Sequence, residues 1–221
     1  CHIMPFRFNN NRANAERTAS LFSATDILFE RNFFGKYFLL LANSSILGGS
    51  DQVWNLVCLH PQLHTWWRKG YLAFKCLGIE PVESEGEEDE SKMTLQLHWM
   101  PRLTVQFGQE MRLDGQDNGY AQMIQEVQAF HQSSHLSAFS TRMIKFTLST
   151  DEMVMSGHVF SLNMRAEEAD MFKDMIDLQW ACYKIFALSG AVGSPEILDD
   201  DPDDRTSQWV HDQARWYSML V

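Results

Sequence analysis

Three things are scarce in this chain of 221 residues, and each scarcity removes a class of answer. Long apolar runs come first. A membrane-spanning helix needs ~20 consecutive apolar residues, and the best stretch, YFLLLANSSILGG, is short and polar in its middle. It reads as a buried helix end, so no membrane association is expected. Cysteine is second. Cys1, Cys58, Cys76 and Cys182 form no C-x-x-C pair and are too scattered for a disulfide framework, which points to a reduced intracellular compartment. Internal repetition is third, and its lack sets aside solenoids and propellers.

Positive charge also looks scarce, because the net charge is -11. Its distribution changes the reading. ESEGEEDE at 83–90 holds six acidic residues and EILDDDPDD at 196–204 holds six more; setting these aside leaves 17 acidic against 18 basic residues. The first 79 residues carry eight Lys and Arg against four acidic residues, a local charge of +4. Two acidic runs thus mask a mildly basic N-terminal region, which permits contact with phosphates. The runs themselves lack the spacing of an EF-hand and read as solvated loops.

The composition, with 45% hydrophobic and 21% charged residues, is that of a globular protein of one large or two small domains. Apolar residues recur at helical spacing from about Arg17 to Asn43, with Gly35 expected to divide two helices. NSSILGGSDQ is rich in turn formers. VWNLVCL at 53–59 is β-branched and apolar and predicts a short strand. Pro61 suits a helix start, and PQLHTWWRKGYL continues as that helix. AFKCLGIEP at 73–81 and MTLQLHWMP at 93–101 predict strands flanking a hairpin-like acidic loop. Further strands are expected at 143–150 and 157–164, and helices at 120–132, 166–190 and in the tail from Arg205. The helix at 166–190 is the clearest, with acidic residues in its first turn, an apolar stripe running from Met171 to Phe186, and Gly190 at its end. The fold class is therefore α+β.

The strongest local signal is NLVCLHPQLH, which runs from Asn55 through a turn to His64 at the start of a helix. With His2 upstream it gives a His…Asn…His order. Three common residues in order would arise by chance, but the match extends. CHIMPF, WNLVCLHPQLHTWW, LQLHWMP, SGHVFSLNM and LQWACYKIFALSGA together resemble fungal proteins that carry an HNH endonuclease domain. That resemblance covers nearly the whole chain. It implies a ββα-metal core with a helical insertion across 1–80, whose first hairpin strand would lie before Cys1. An acidic loop follows at 81–93. A C-terminal α+β extension over 94–221 is either separate or integrated with the first region.

The resemblance also implies roles. His2 would be the general base that takes a proton from the water attacking a phosphodiester, since an imidazole changes charge near neutral pH. Asn55 would brace the segment presenting His2. His64, on the helix, would bind a divalent metal, Mg²⁺ or Zn²⁺, that stabilises the phosphate charge. The substrate would be DNA or RNA, with Arg68 and Lys69 the candidates for phosphate contact. Cys1 departs from the pattern, standing where such enzymes commonly carry a metal-binding Asp or His. A thiolate is soft and Mg²⁺ prefers oxygen, so Cys1 implies a Zn²⁺-like site, a ligand from elsewhere, or decayed catalysis.

Plainer readings stand beside these. Asn55 alone would be a turn residue, Trp66 and Trp67 packing groups, and Arg68 and Lys69 solvated. His60 and His64 are four apart and could make half of a zinc site, but Pro61 places His60 at the helix cap. His98 and His158 show no partner in the sequence and read as structural. The alternative function is a catalytically inactive HNH-like scaffold that binds protein or nucleic acid.

Overall fold

A computed structural model of the chain describes residues 1–4, 9–16, 18–19, 33–41, 43, 45, 47–82, 89–104, 108–110, 119–132 and 154–192. The expected strand at 143–150, the helix before Phe33 beyond its first residues, and the tail helix lie outside these. Within them the architecture is α+β. In order come helix α1 (Phe33–Leu41), a 3-10 turn (Val53–Asn55), helix α2 (Pro61–Arg68), strands β1 (Leu72–Val82) and β2 (Glu90–Trp99), helix α3 (Tyr120–Gln132), strand β3 (Val159–Arg165) and helix α4 (Ala166–Leu188). The chain divides into two compact units. The first is Cys1–Cys58 with Asp170–Met175 of α4, and the second is Leu59–Ala169 with Ile176–Val221.

The second unit is built on a three-stranded antiparallel sheet in the order β1-β2-β3. Strand β2 alternates strictly, burying Ser91, Met93, Leu95, Leu97 and Trp99 and turning the residues between them outward. A period of two buries one face, which is why this segment is a strand. Two tryptophans from α2 complete that core. Trp66 meets Trp99 edge-on at 5.7 Å and Trp67 meets Phe74 at 5.5 Å, while Phe74 also meets Phe160 of β3 at 5.5 Å. Each buried aromatic is worth roughly 1.5–3 kcal/mol in area removed from water. Trp99 spends its indole N–H on the Val154 carbonyl, at 2.8 Å. Between Cys76 and Gly78 the register of β1 shifts, and the extra residue, Leu77, is left exposed.

Several expected boundaries move for identifiable reasons. VWNLVCL is not a strand: residues 53–55 form a 3-10 turn closed by Asn55 N–H to the Gln52 carbonyl and Leu56 N–H to the Val53 carbonyl. That turn buries Trp54 and Asn55 together, which an alternating strand would not do. The helix from Pro61 stops at Arg68, because Gly70 takes φ 70° and the N–H groups of Gly70 and Tyr71 close back onto Trp67 and Trp66. Glu90 pairs with Val82 as part of β2 instead of belonging to an acidic loop. Gly35 lies in the first turn of α1 and does not separate two helices. On α4, Ile185 is exposed while Ala169, Leu178 and Ala187 are buried.

In the first unit the helix α1 is tied to residue Asp174. The Tyr37 hydroxyl, on a fully buried side chain, donates to Asp174 Oδ2 at 2.7 Å, and Lys36 Nζ reaches the same oxygen at 2.7 Å. The Tyr37 ring also lies 6.2 Å from that of Trp54. The helix therefore supports the turn that carries Asn55.

Candidate functional site

The His2 segment is held by a short antiparallel ladder. His2 bridges Leu56, Ile3 N–H donates to the Asn55 carbonyl at 2.8 Å, and Val57 N–H donates to the Cys1 carbonyl at 2.9 Å. Ile3 and Val57, both buried, anchor its two sides. The His2 side chain stays partly exposed.

Asn55 is fully buried, and its side chain uses both ends. Oδ1 accepts from Met4 N–H at 2.8 Å, and Nδ2 donates to the carbonyls of Met4 and Ser50, each at 2.9 Å. One amide thus ties the exit of the His2 strand to the loop before the 3-10 turn. This is the geometry that bracing requires. Asparagine suits it because only an amide both donates and accepts at that separation.

A second asparagine completes the frame. Asn9, also fully buried, donates to the Leu40 carbonyl at 2.9 Å and accepts from Gly48 N–H and Ser50 Oγ, each at 3.2 Å. Gly49 passes so close to α1 that a side chain there would collide with the Leu40 carbonyl. Loop 47–52 is thereby fixed on both flanks.

That loop delivers a residue the sequence reading passed over. Asp51 Oδ1 lies 3.0 Å from His2 Nε2. A carboxylate can only accept, so in this contact His2 Nε2 is the donor. The pair is open to solvent, with the His2 side chain 28% and the Asp51 side chain 63% exposed, so its value lies in orientation more than in stability. The only sequence signal for Asp51 was its place in a Gly-Gly-Ser turn just before Asn55.

The remaining candidates are placed as follows. Cys1 Sγ donates to the Val57 carbonyl at 3.2 Å, and the Cys1 main-chain nitrogen donates to the same oxygen at 2.8 Å. His64 belongs to the second unit, on α2, where it is buried. His60 is the N-cap of α2: its Nδ1 accepts from Gln62 N–H at 3.3 Å, a capping contact that uses the lone pair a zinc pair with His64 would need. Arg68 ends α2 and Lys69 is its exposed C-cap, positions where cations meet the negative end of the helix dipole. His98 does have partners, Gln96 Oε1 at 2.9 Å and the Trp180 ring at 4.9 Å.

The metal that the family resemblance implies finds a poor donor set. Among the described residues, no group of three or more His, Cys, Asp or Glu side chains gathers to hold an ion. The Cys1 thiol is engaged with a backbone carbonyl, and its softness is wrong for Mg²⁺. No helix among the described residues is long and apolar enough to cross a membrane.

Comparison with models of known families, with curated proteins and with solved structures finds no match to this chain.

Proposed function

We propose that the chain is an HNH-type endonuclease that hydrolyses phosphodiester bonds of DNA or RNA, with His2 as general base. The observation that carries this reading is the Asn55 amide, which locks the His2 strand to the turn before it from a fully buried position. The resemblance of CHIMPF and WNLVCLHPQLHTWW to the HNH pattern supplies the roles. The Asp51 carboxylate beside Nε2 adds what a general base needs, a fixed tautomer and a partner for the imidazolium.

The chemistry follows from the chain's own groups. A water bound near His2 loses its proton to the imidazole as its oxygen attacks phosphorus, and Asp51 steadies the positive ring that results. The phosphorus–oxygen bond to the leaving group breaks, and that oxygen takes a proton from solvent. The residues assigned to the metal do not fit Mg²⁺, so no step is routed through an ion.

One observation favours the second reading, an inactive scaffold. Cys1 replaces the usual hard ligand, and its thiol turns to the Val57 carbonyl. The two readings part in one assay: incubation of end-labelled DNA and RNA strands with the full chain and Mg²⁺, Mn²⁺ or Zn²⁺ in turn. Cleavage that disappears in His2→Ala supports the nuclease. Intact strands with every metal overturn it and leave the scaffold.

A further inference from the structure

The second unit carries an aromatic and cationic surface that the nuclease reading leaves unused. Ala73, Met100, Ala187 and Val192 form a small buried cluster, and Tyr71, Trp180 and Tyr183 pack around it, each only partly buried. Cations lie against these rings. The Arg102 guanidinium is 5.3 Å from the Tyr71 centroid, and Lys184 Nζ is 5.4 Å from that of Trp180. On the sheet side the His98 imidazole tilts against Trp180, with centroids 4.9 Å apart. Burial first, and the Lys75 charge second, hold that imidazole below its ordinary range, so at pH 7 it is a flat neutral ring. Arg102, Lys184 and Lys75 are all exposed. The carboxylate nearest in sequence on α4, Asp177, lies one turn before Trp180.

We propose that this surface binds single-stranded nucleic acid, with bases stacked on Trp180 and Tyr71 and phosphates paired with Arg102, Lys184 and Lys75. Charge decides against a cationic ligand, because the rings already hold cations. The rings decide against a purely electrostatic partner: an acidic peptide would use the lysines and leave the aromatics idle. Duplex DNA hides its base faces, whereas a single strand offers them. An exposed cation–π contact is weaker than a stacked base. A base can therefore replace the ammonium or guanidinium over the ring, and the freed cation swings to the adjoining phosphate. The surface shares a partner class with the nuclease reading and needs none of its chemistry.

The test is fluorescence anisotropy of a labelled oligothymidylate with the full chain in EDTA, across a salt series, so that binding is read without cleavage. Affinity is expected to fall as salt rises. Trp180→Leu should weaken binding roughly tenfold at every salt concentration and leave the salt slope unchanged. Arg102→Gln with Lys184→Gln, both at exposed positions, should flatten the slope by about one unit or more. Circular dichroism of each variant shows whether it folds, and Tyr71→Leu repeats the aromatic test if Trp180→Leu does not. The proposal is overturned if no binding occurs at low salt. It is equally overturned if polyglutamate or duplex DNA competes as well as the single strand and the aromatic variant binds like the parent.

Discussion

Replacing Asn55 by Ala isolates the bracing that the site depends on. Three hydrogen bonds vanish, and the groups left behind are the Met4 N–H, the Met4 carbonyl and the Ser50 carbonyl. Each unsatisfied buried group costs about 1–3 kcal/mol. Water entering the vacated space recovers part of that, so the net loss should be roughly 3–5 kcal/mol. Against a total stability of about 5–15 kcal/mol for a domain this is large. Asn55→Asp sharpens the test. Its carboxylate still accepts from Met4 N–H, but its second oxygen faces two carbonyl oxygens. The introduced carboxyl is therefore pushed above its ordinary range in the folded chain, which binds its proton more tightly than the unfolded chain does. The deficit should be greatest at neutral pH and shrink as pH falls toward ~4. Urea unfolding of the three proteins at pH 7 and pH 5 reads both effects. A loss under about 1 kcal/mol for Asn55→Ala, or no pH dependence in the Asn55→Asp deficit, would refute the bracing.

Other outcomes follow from the same structure. Tyr37→Phe removes one buried hydrogen bond to Asp174 and should cost about 1–2 kcal/mol in urea unfolding. Burial alone would raise the Asp174 carboxyl, but hydrogen bonds from Lys36 and Tyr37 and the charges of Lys36 and Lys173 hold it below its ordinary range. Its stabilisation is complete above about pH 4 and is lost as pH falls through the lower folded value, so Asp174→Asn should flatten the acid limb of a stability profile. Burial pushes the Cys182 thiol up to about 11, and Cys58 is exposed. Iodoacetamide at pH 8 should label Cys58 well before Cys182, as peptide mass mapping would show, and the reverse order would contradict the placement of α4. Gln179 lies beside the Tyr183 hydroxyl, yet among the described residues its buried amide meets no partner in good geometry. Gln179→Met should therefore raise stability by about 1 kcal/mol.

Elements with a strong period were legible in the sequence. Strand β2 alternates over its whole length, and helices α3 and α4 carry stripes long enough to fix their ends within two residues. What failed was the segment 53–59, where short apolar runs fit strand and turn alike. Burial of two adjacent side chains, Trp54 and Asn55, decided for the turn. In the candidate site, His2 and Asn55 were singled out because they fall in motifs that resemble the HNH pattern. Asp51 and Asn9 were not, because they act through contacts 49 and 31 residues away along the chain. No local pattern encodes such contacts. The aromatic and cationic surface was illegible for the same reason, since Tyr71, the stretch carrying His98 and Arg102, and Trp180 are three segments far apart in the chain.

The central claim is that His2 acts as the base and is oriented by Asp51, and the strand-cleavage rates of the parent, His2→Ala and Asp51→Asn test it most directly. The parent should cleave labelled DNA or RNA strands. His2→Ala should fall by roughly 100-fold or more, and Asp51→Asn by a smaller factor. Cleavage by His2→Ala at the parental rate would contradict the account.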